Sequence, residues 1–160
     1  MRLRERRRSR RWRIRVGSDR GAIQIEFILS LLTVMFVVLG IWELIMVVYT
    51  MNVLSDAAKE GVRYAIVHGG GNANCSGPNP PPSCTSPDPT ANNIVTLVKE
   101  GYAKYSFVDI SAITVTVTYP DGSNVAPNRV RVEVQYNFVP FTALPIRPHL
   151  RAAAEGRIVY

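Results

Sequence analysis

The chain has 160 residues, and its formal net charge of +7 is not spread evenly along it. The first 20 residues hold ten arginines (Arg2, Arg4, Arg6, Arg7, Arg8, Arg10, Arg11, Arg13, Arg15 and Arg20) against Glu5 and Asp19, and everything after them sums to −1. That split excludes a uniformly basic nucleic-acid-binding domain, and the length allows one domain at most beyond a basic tail. The tail offers Trp12 as its one aromatic residue and no folded platform, so it reads as a retention and lipid-contact segment. Ser9-Arg10-Arg11 touches on a twin-arginine signal, but Arg13 and Arg15 continue the basic run and the apolar block that follows is stronger than such signals need.

That block covers residues 27 to 51, where 20 of 25 residues are apolar or aromatic and Glu43 is the one charge. A bilayer core takes about 20 apolar helical residues, so the block predicts a transmembrane helix. It is longer than a secretory h-region and no small-x-small cleavage site follows it. Arginine is held on the cytoplasmic side during insertion, which keeps the N-terminus inside and exports the residues beyond about 50.

Glu26 stands at the entry of this helix, in Arg20-Gly21-Ala22-Ile23-Gln24-Ile25-Glu26-Phe27. On the plain reading it snorkels to headgroups or sits favourably in the first turn. On the functional reading, a cut after Gly21 makes Ala22 the amino terminus and Glu26 the fifth residue. The α-ammonium of one subunit then pairs with Glu26 of another, and in a low-dielectric bundle that pair sets axial register. From Asn52 onward Val53, Leu54, Ala57, Ala58, Gly61, Val62, Ala65 and Ile66 recur at three- and four-residue steps as one apolar stripe. No proline interrupts residues 22 to 67, so a straight helix would reach roughly 69 Å, about twice the membrane thickness. The outer half must pack on something else, and a stripe of Ala and Gly suits close approach, first of all by the protein's own head. Lys59, Glu60 and Arg63 fall on its flanks.

A basic leader, Gly21, four residues, Glu26-Phe27 and a long apolar helix together resemble the prepilin pattern of the tight-adherence (Flp) branch of type IV pilins. Leu39-Gly40-Ile41-Trp42-Glu43 and Ala57-Ala58-Lys59-Glu60-Gly61-Val62-Arg63-Tyr64-Ala65 look like the recurring segments of the TadE-like pilus assembly family, with Lys59 for Arg and Val62 for Ala as departures. The resemblance covers residues 20 to about 68. It implies a pilin-like fold and a minor pilin or pseudopilin in the bacterial inner membrane. Its implied partners are the membrane, sister pilin or pseudopilin subunits, a prepilin peptidase cutting after Gly21 and, indirectly, the assembly platform and ATPase. Gly21, Ala22, Glu26 and Phe27 then form the processing segment, and Gly40, Glu43, Ala57, Ala58, Glu60, Gly61, Arg63 and Tyr64 the motif and helix-packing residues. For Glu43, a snorkel to the interface and a buried contact with another membrane helix both stay open, the resemblance favouring the second.

Residues 68 to 93 are a loop by composition, with Gly69-Gly70-Gly71, Pro80-Pro81-Pro82 and further prolines. The loop holds both cysteines, Cys75 and Cys84, which are expected to pair outside the cytoplasm. Two cysteines and the distant His68 and His149 have no metal-site spacing. Residues 93 to 105 predict a short helix burying Ile94, Leu97, Val98, Tyr102 and Tyr105. Ile113, Val115, Val117 and Tyr119 alternate with threonines in a first strand, and Pro120-Asp121-Gly122-Ser123 marks a turn. Val130, Val132, Val134, Tyr136 and Phe138 face inward in a second strand. Pro140, Pro145 and Pro148 mark a crossing before a third strand at roughly 150 to 159, whose Ala152 and Ala154 leave room for the long helix.

The expected fold is α+β: a long N-terminal transmembrane helix, continued by an amphipathic helix packed on a small antiparallel sheet of about three strands. Its organisation is a basic cytoplasmic leader (1–21), a transmembrane helix (22–50), an amphipathic extension (51–68), a Pro/Gly-rich disulfide loop (69–92) and an exported head (93–160). No catalytic constellation, phosphate cradle or metal cluster stands out, so no enzyme, cofactor, nucleic-acid or small-molecule role is expected. Two function classes remain: a processed pilus-assembly subunit, or an unprocessed single-pass anchor whose exported head is a binding module.

Overall fold

The computed structural model describes residues 19–141 and 147–160. The arginines up to Arg15, the side chain of Arg20, and Pro145 lie outside the described residues. Two compact units divide the chain, one ending at Leu39 and the other running from Gly40 to Tyr160.

Helix α1 (Asp19–Val67) begins in the first unit. Every residue from Gly21 to Leu39 is exposed, although most are apolar. A helix satisfies its backbone polar groups within itself, the one way a single segment can meet a hydrocarbon solvent. Thr33 follows the same economy, its Oγ1 donating to the Leu29 carbonyl at 2.8 Å. Among the described residues α1 is the one helix long and apolar enough to cross a membrane.

The second unit is α+β. Its sheet is antiparallel with strand order β1-β2-β3: β1 (Thr114–Thr118), β2 (Arg129–Asn137) and β3 (His149–Arg157). The register pairs Val115 with Val134 and Val117 with Val132 on one side of β2, and Val134 with Ala152, Val132 with Ala154 and Val130 with Gly156 on the other. One face is therefore tall along β2 and low along β3. The outer part of α1 is shaped to fit it, since Leu54, Ala57, Ala58, Val62 and Ala65 are all buried. A Cβ added to Gly61 would lie 2.6 Å from Val98 Cγ2 and 3.2 Å from Val132 Cγ1. Conversely, a Cβ on Gly156 would meet Val62 and Ile66 at 2.7 and 2.6 Å. Small residues of the helix thus face large ones of the head, and the reverse holds one turn further on.

The segment expected as one helix over 93 to 105 is instead three short pieces: α2 (Asn92–Thr96), a π-helical turn (Leu97–Tyr102) and a 3-10 turn (Ala103–Ser106). Asp88 supports the start, accepting from the Asn93 amide at 2.8 Å. Ile94 and Val98 are buried as the spacing predicts, but the wider turn carries an extra residue and shifts the phase. Ala103 and Ser106 therefore take the inward positions, and Tyr105, expected inside, is 59% exposed, with Tyr102 also at the surface.

The Pro/Gly-rich stretch after α1 is packed against the sheet connection. The Ser76 carbonyl accepts from Tyr119 Oη at 2.9 Å and Asn124 Nδ2 at 3.2 Å, and the Gly70 amide donates to the Asn124 carbonyl at 2.8 Å. Burial pushes the Tyr119 hydroxyl up to about 12, with Asp88 adding to the shift. Cys75 and Cys84 are joined as a disulfide, their Cα atoms 5.8 Å apart. Closing so short a loop restricts the unfolded chain by on the order of 2 to 3 kcal/mol in the loop-entropy account.

The charges of the sheet lie on its other face and its turn. Arg129 Nη2 meets Asp121 Oδ1 at 2.8 Å and its Nη1 meets Glu155 at 3.4 Å, while Glu133 receives Arg151 Nε at 2.5 Å. Hydrogen bonds from the Arg129 guanidinium and amide hold the Asp121 carboxyl down to about 2. A carboxylate with a depressed folded-state pKa stabilises the fold above its unfolded pKa, and this contribution fades as pH falls through the folded value. Asp121→Asn is therefore expected to flatten the acid limb of the stability profile between about pH 4 and about pH 2, read from urea midpoints across that range; an unchanged limb would contradict it. Gly61→Val should cost about 1 to 3 kcal/mol by overpacking, whereas Gly40→Ala, with no atom within 4 Å of the added Cβ, should be neutral or gain up to about 1 kcal/mol from helix propensity. Thermal unfolding of the two variants in detergent checks the contrast.

Candidate functional site

The residues singled out by the sequence fall into three groups along α1. Gly21, Ala22, Glu26 and Phe27 lie near the start of its described part and are all exposed. Gly21 is the third described residue of the helix. Ala22 and Glu26 are four apart and share a helix face.

The second group begins the other unit. Gly40 is half-buried and Glu43 is 8% exposed, although Ile41, Trp42, Leu44 and Ile45 around it are all exposed. A carboxylate among such residues needs a polar partner, and Glu43 Oε1 accepts from the backbone amide of Phe141 at 3.0 Å. Pro140 has no N–H to offer, so Phe141 supplies the first amide after β2 and Phe138-Val139-Pro140. A partner that the sequence left open between headgroups and a neighbouring helix is thus found in the same chain. Gly40, Glu43, Leu44 and Val47 line a groove of about 300 Å³ together with Phe138, Pro140 and Pro148.

The third group is the small-residue motif. Ala57, Ala58 and Gly61 are buried against the head, while Glu60 and Tyr64 are half-buried and Arg63 is exposed. Arg63 and Glu60, three apart on one flank, form an ion pair. Lys59 pairs with Asp56 at 3.0 Å. Tyr64 stacks on His68 with centroids 3.8 Å apart, and His68 Nδ1 lies 2.9 Å from the Tyr64 carbonyl oxygen.

Sequence reasoning missed three participants: Phe141, Asn124 and Ser76. Phe141 acts through its backbone amide, which no side-chain pattern encodes, and Asn124 and Ser76 sit in turn-rich stretches where polar residues are ordinary. Among the described residues no group of three or more His, Cys, Asp or Glu could hold a metal ion. Removing the acceptor at position 43 takes away the Phe141 amide's hydrogen bond to a charged acceptor, a contribution of about 1.5 to 3 kcal/mol. Glu43→Ala should therefore speed hydrogen–deuterium exchange at Phe141, whereas Glu43→Gln, which keeps a carbonyl acceptor, should leave it close to wild type; equal acceleration in both would mean that charge, and not the hydrogen bond, holds the loop.

Residues 21–63 match the family model described as TadE-like protein. Nothing among curated proteins or solved structures matches the chain. The matched stretch contains Gly21, Glu26, Gly40, Glu43 and the small-residue motif up to Arg63, and it stops before the loop and the sheet. A TadE-like segment goes with structural parts of the tight-adherence pilus and not with catalysis. Residues 21–63 thus carry the features of the TadE-like family, and the chain is consistent with a TadE-like pilus assembly protein.

Proposed function

We propose that the protein is a minor pilin or pseudopilin of a tight-adherence pilus, anchored by α1 in the bacterial inner membrane with its head outside. Prepilin peptidase cuts after Gly21, and Glu26 sets the register between subunits. The observation that carries this reading is the division of labour along α1. Residues 21–39 are exposed and apolar, whereas the Ala and Gly stripe further on is covered by the protein's own head.

Contacts with sister subunits then fall to the first part of the helix, where Glu26 is the one charge between Gly21 and Leu39. In hydrocarbon an unpaired carboxylate is costly, so a neighbour's Ala22 ammonium is favoured at one axial offset and disfavoured at others. The arginine-rich leader supports a cytoplasmic N-terminus. A Cys75–Cys84 disulfide supports an exported head, because such bonds persist outside the reducing cytoplasm.

Intact mass and N-terminal sequencing of membrane-extracted protein, with and without its prepilin peptidase, test the processing step. The expected N-terminus is Ala22, appearing only with the peptidase. Glu26→Ala is expected to abolish incorporation into pili while leaving the amount in the membrane unchanged. A chain that keeps Met1 or Arg2 under both conditions would overturn processing and make an anchored binding module the better account.

A further inference from the structure

We propose that the head is seated in the outer lipid–water interface by two aromatic loops, at Tyr105–Phe107 and at Phe141, that flank α1 at one level. The inference rests on the reading of α1 as a membrane span and goes beyond it, since a single-pass anchor leaves the head free to stand clear of the bilayer.

Both loops are tied to the same short piece of helix. Tyr49 Oη donates to the Tyr105 carbonyl at 3.0 Å, and the Tyr49 ring lies 5.5 Å from that of Phe107. Phe141 is tied through its amide to Glu43. Positions 43 and 49 are less than two turns apart, a rise of about 9 Å. The rings themselves stay outside the core: Phe107 is 72% exposed and Phe141 69%. Phe107 also takes a left-handed backbone conformation, φ 59°, which costs a non-glycine residue energy and buries no apolar side chain in return.

The chemistry of this rim is that of a membrane interface. Trp42 and Tyr49 on α1 and Tyr105 on the loop have apolar bodies with polar tips, the residues that gather at headgroup level. Lys104 Nζ lies 5.3 Å from the Tyr105 ring centroid, the place of a snorkelling cation. Leu44, Ile45 and Val48 are exposed on the helix beside them. They continue the apolar run that begins at Phe27, so the surface meeting the loops is the end of the one that meets lipid. Glu43, the charge that would spoil this surface, is withdrawn beneath the Phe141 amide.

Tryptophan fluorescence of the full chain in vesicles tests the proposal. In a Trp12→Phe, Trp42→Phe background, single tryptophans are placed by Phe107→Trp, Phe141→Trp, Val34→Trp and Val125→Trp, in phosphatidylethanolamine–phosphatidylglycerol vesicles whose acyl chains carry bromine. Both loop positions are exposed, so the exchanges spare the core. The expected result is blue-shifted emission at 107 and 141, quenched severalfold more than at Val125 in the β1–β2 connection and unaffected by diluting protein into excess lipid. Quenching at Val34→Trp with none at 107 and 141 would overturn the proposal while leaving the span intact. Loss of quenching at Val34→Trp would overturn the span and the proposal together. A blue shift at 107 and 141 that brominated lipid does not quench and that dilution abolishes would show a second protein copy on this surface, and would overturn the proposal as well.

Discussion

The close approach of α1 to the sheet organises the second unit. Gly61 gives up its side chain so that Val98 and Val132 can reach the helix, and Gly156 gives up its own so that Val62 and Ile66 can reach the strand. Such interdigitation is short-ranged: a gap or overlap of one methyl group is felt at once in a close-packed interior. Because α1 supplies one wall of the core, the three-stranded sheet needs no second layer of its own. The helix that anchors the chain is then the same helix that holds the head folded.

A consequence follows for how the helix divides its surface. Its Ala and Gly stripe looks, in isolation, like an association surface, because small residues let helices approach closely in membranes. Here Leu54, Ala57, Ala58, Val62 and Ala65 are already committed to the head. The stretch from Gly21 to Leu39 is left exposed instead, and Glu26 is the one charge in it.

Glu43 links the two roles. It is a carboxylate next to exposed apolar residues, yet it is buried, because the crossing after β2 brings a backbone amide to it. A hydrogen bond of this kind contributes little when made and costs more when one partner is removed, which is how a single buried acceptor can hold a loop in place. Proline at 140 has no amide to offer, and Phe141 directly after it provides one.

Much of this was legible in the sequence for reasons of periodicity and composition. An unbroken apolar run, a stripe at three- and four-residue steps, and strict alternation in 113–119 and 130–138 each report which side of an element meets a nonpolar neighbour, and that depends on local repeat alone. Two cysteines close together in one Pro/Gly-rich loop point to each other as disulfide partners. What the sequence could not determine depends on contacts between residues far apart in the chain. The π-helical turn at Leu97–Tyr102 rotates Tyr105 outward, and no propensity rule signals one extra residue in a turn. A partner of Glu43 lies 98 residues away and is a main-chain amide, identical in every residue but proline. Periodicity reveals which face of an element is buried; only the assembled fold decides what covers it.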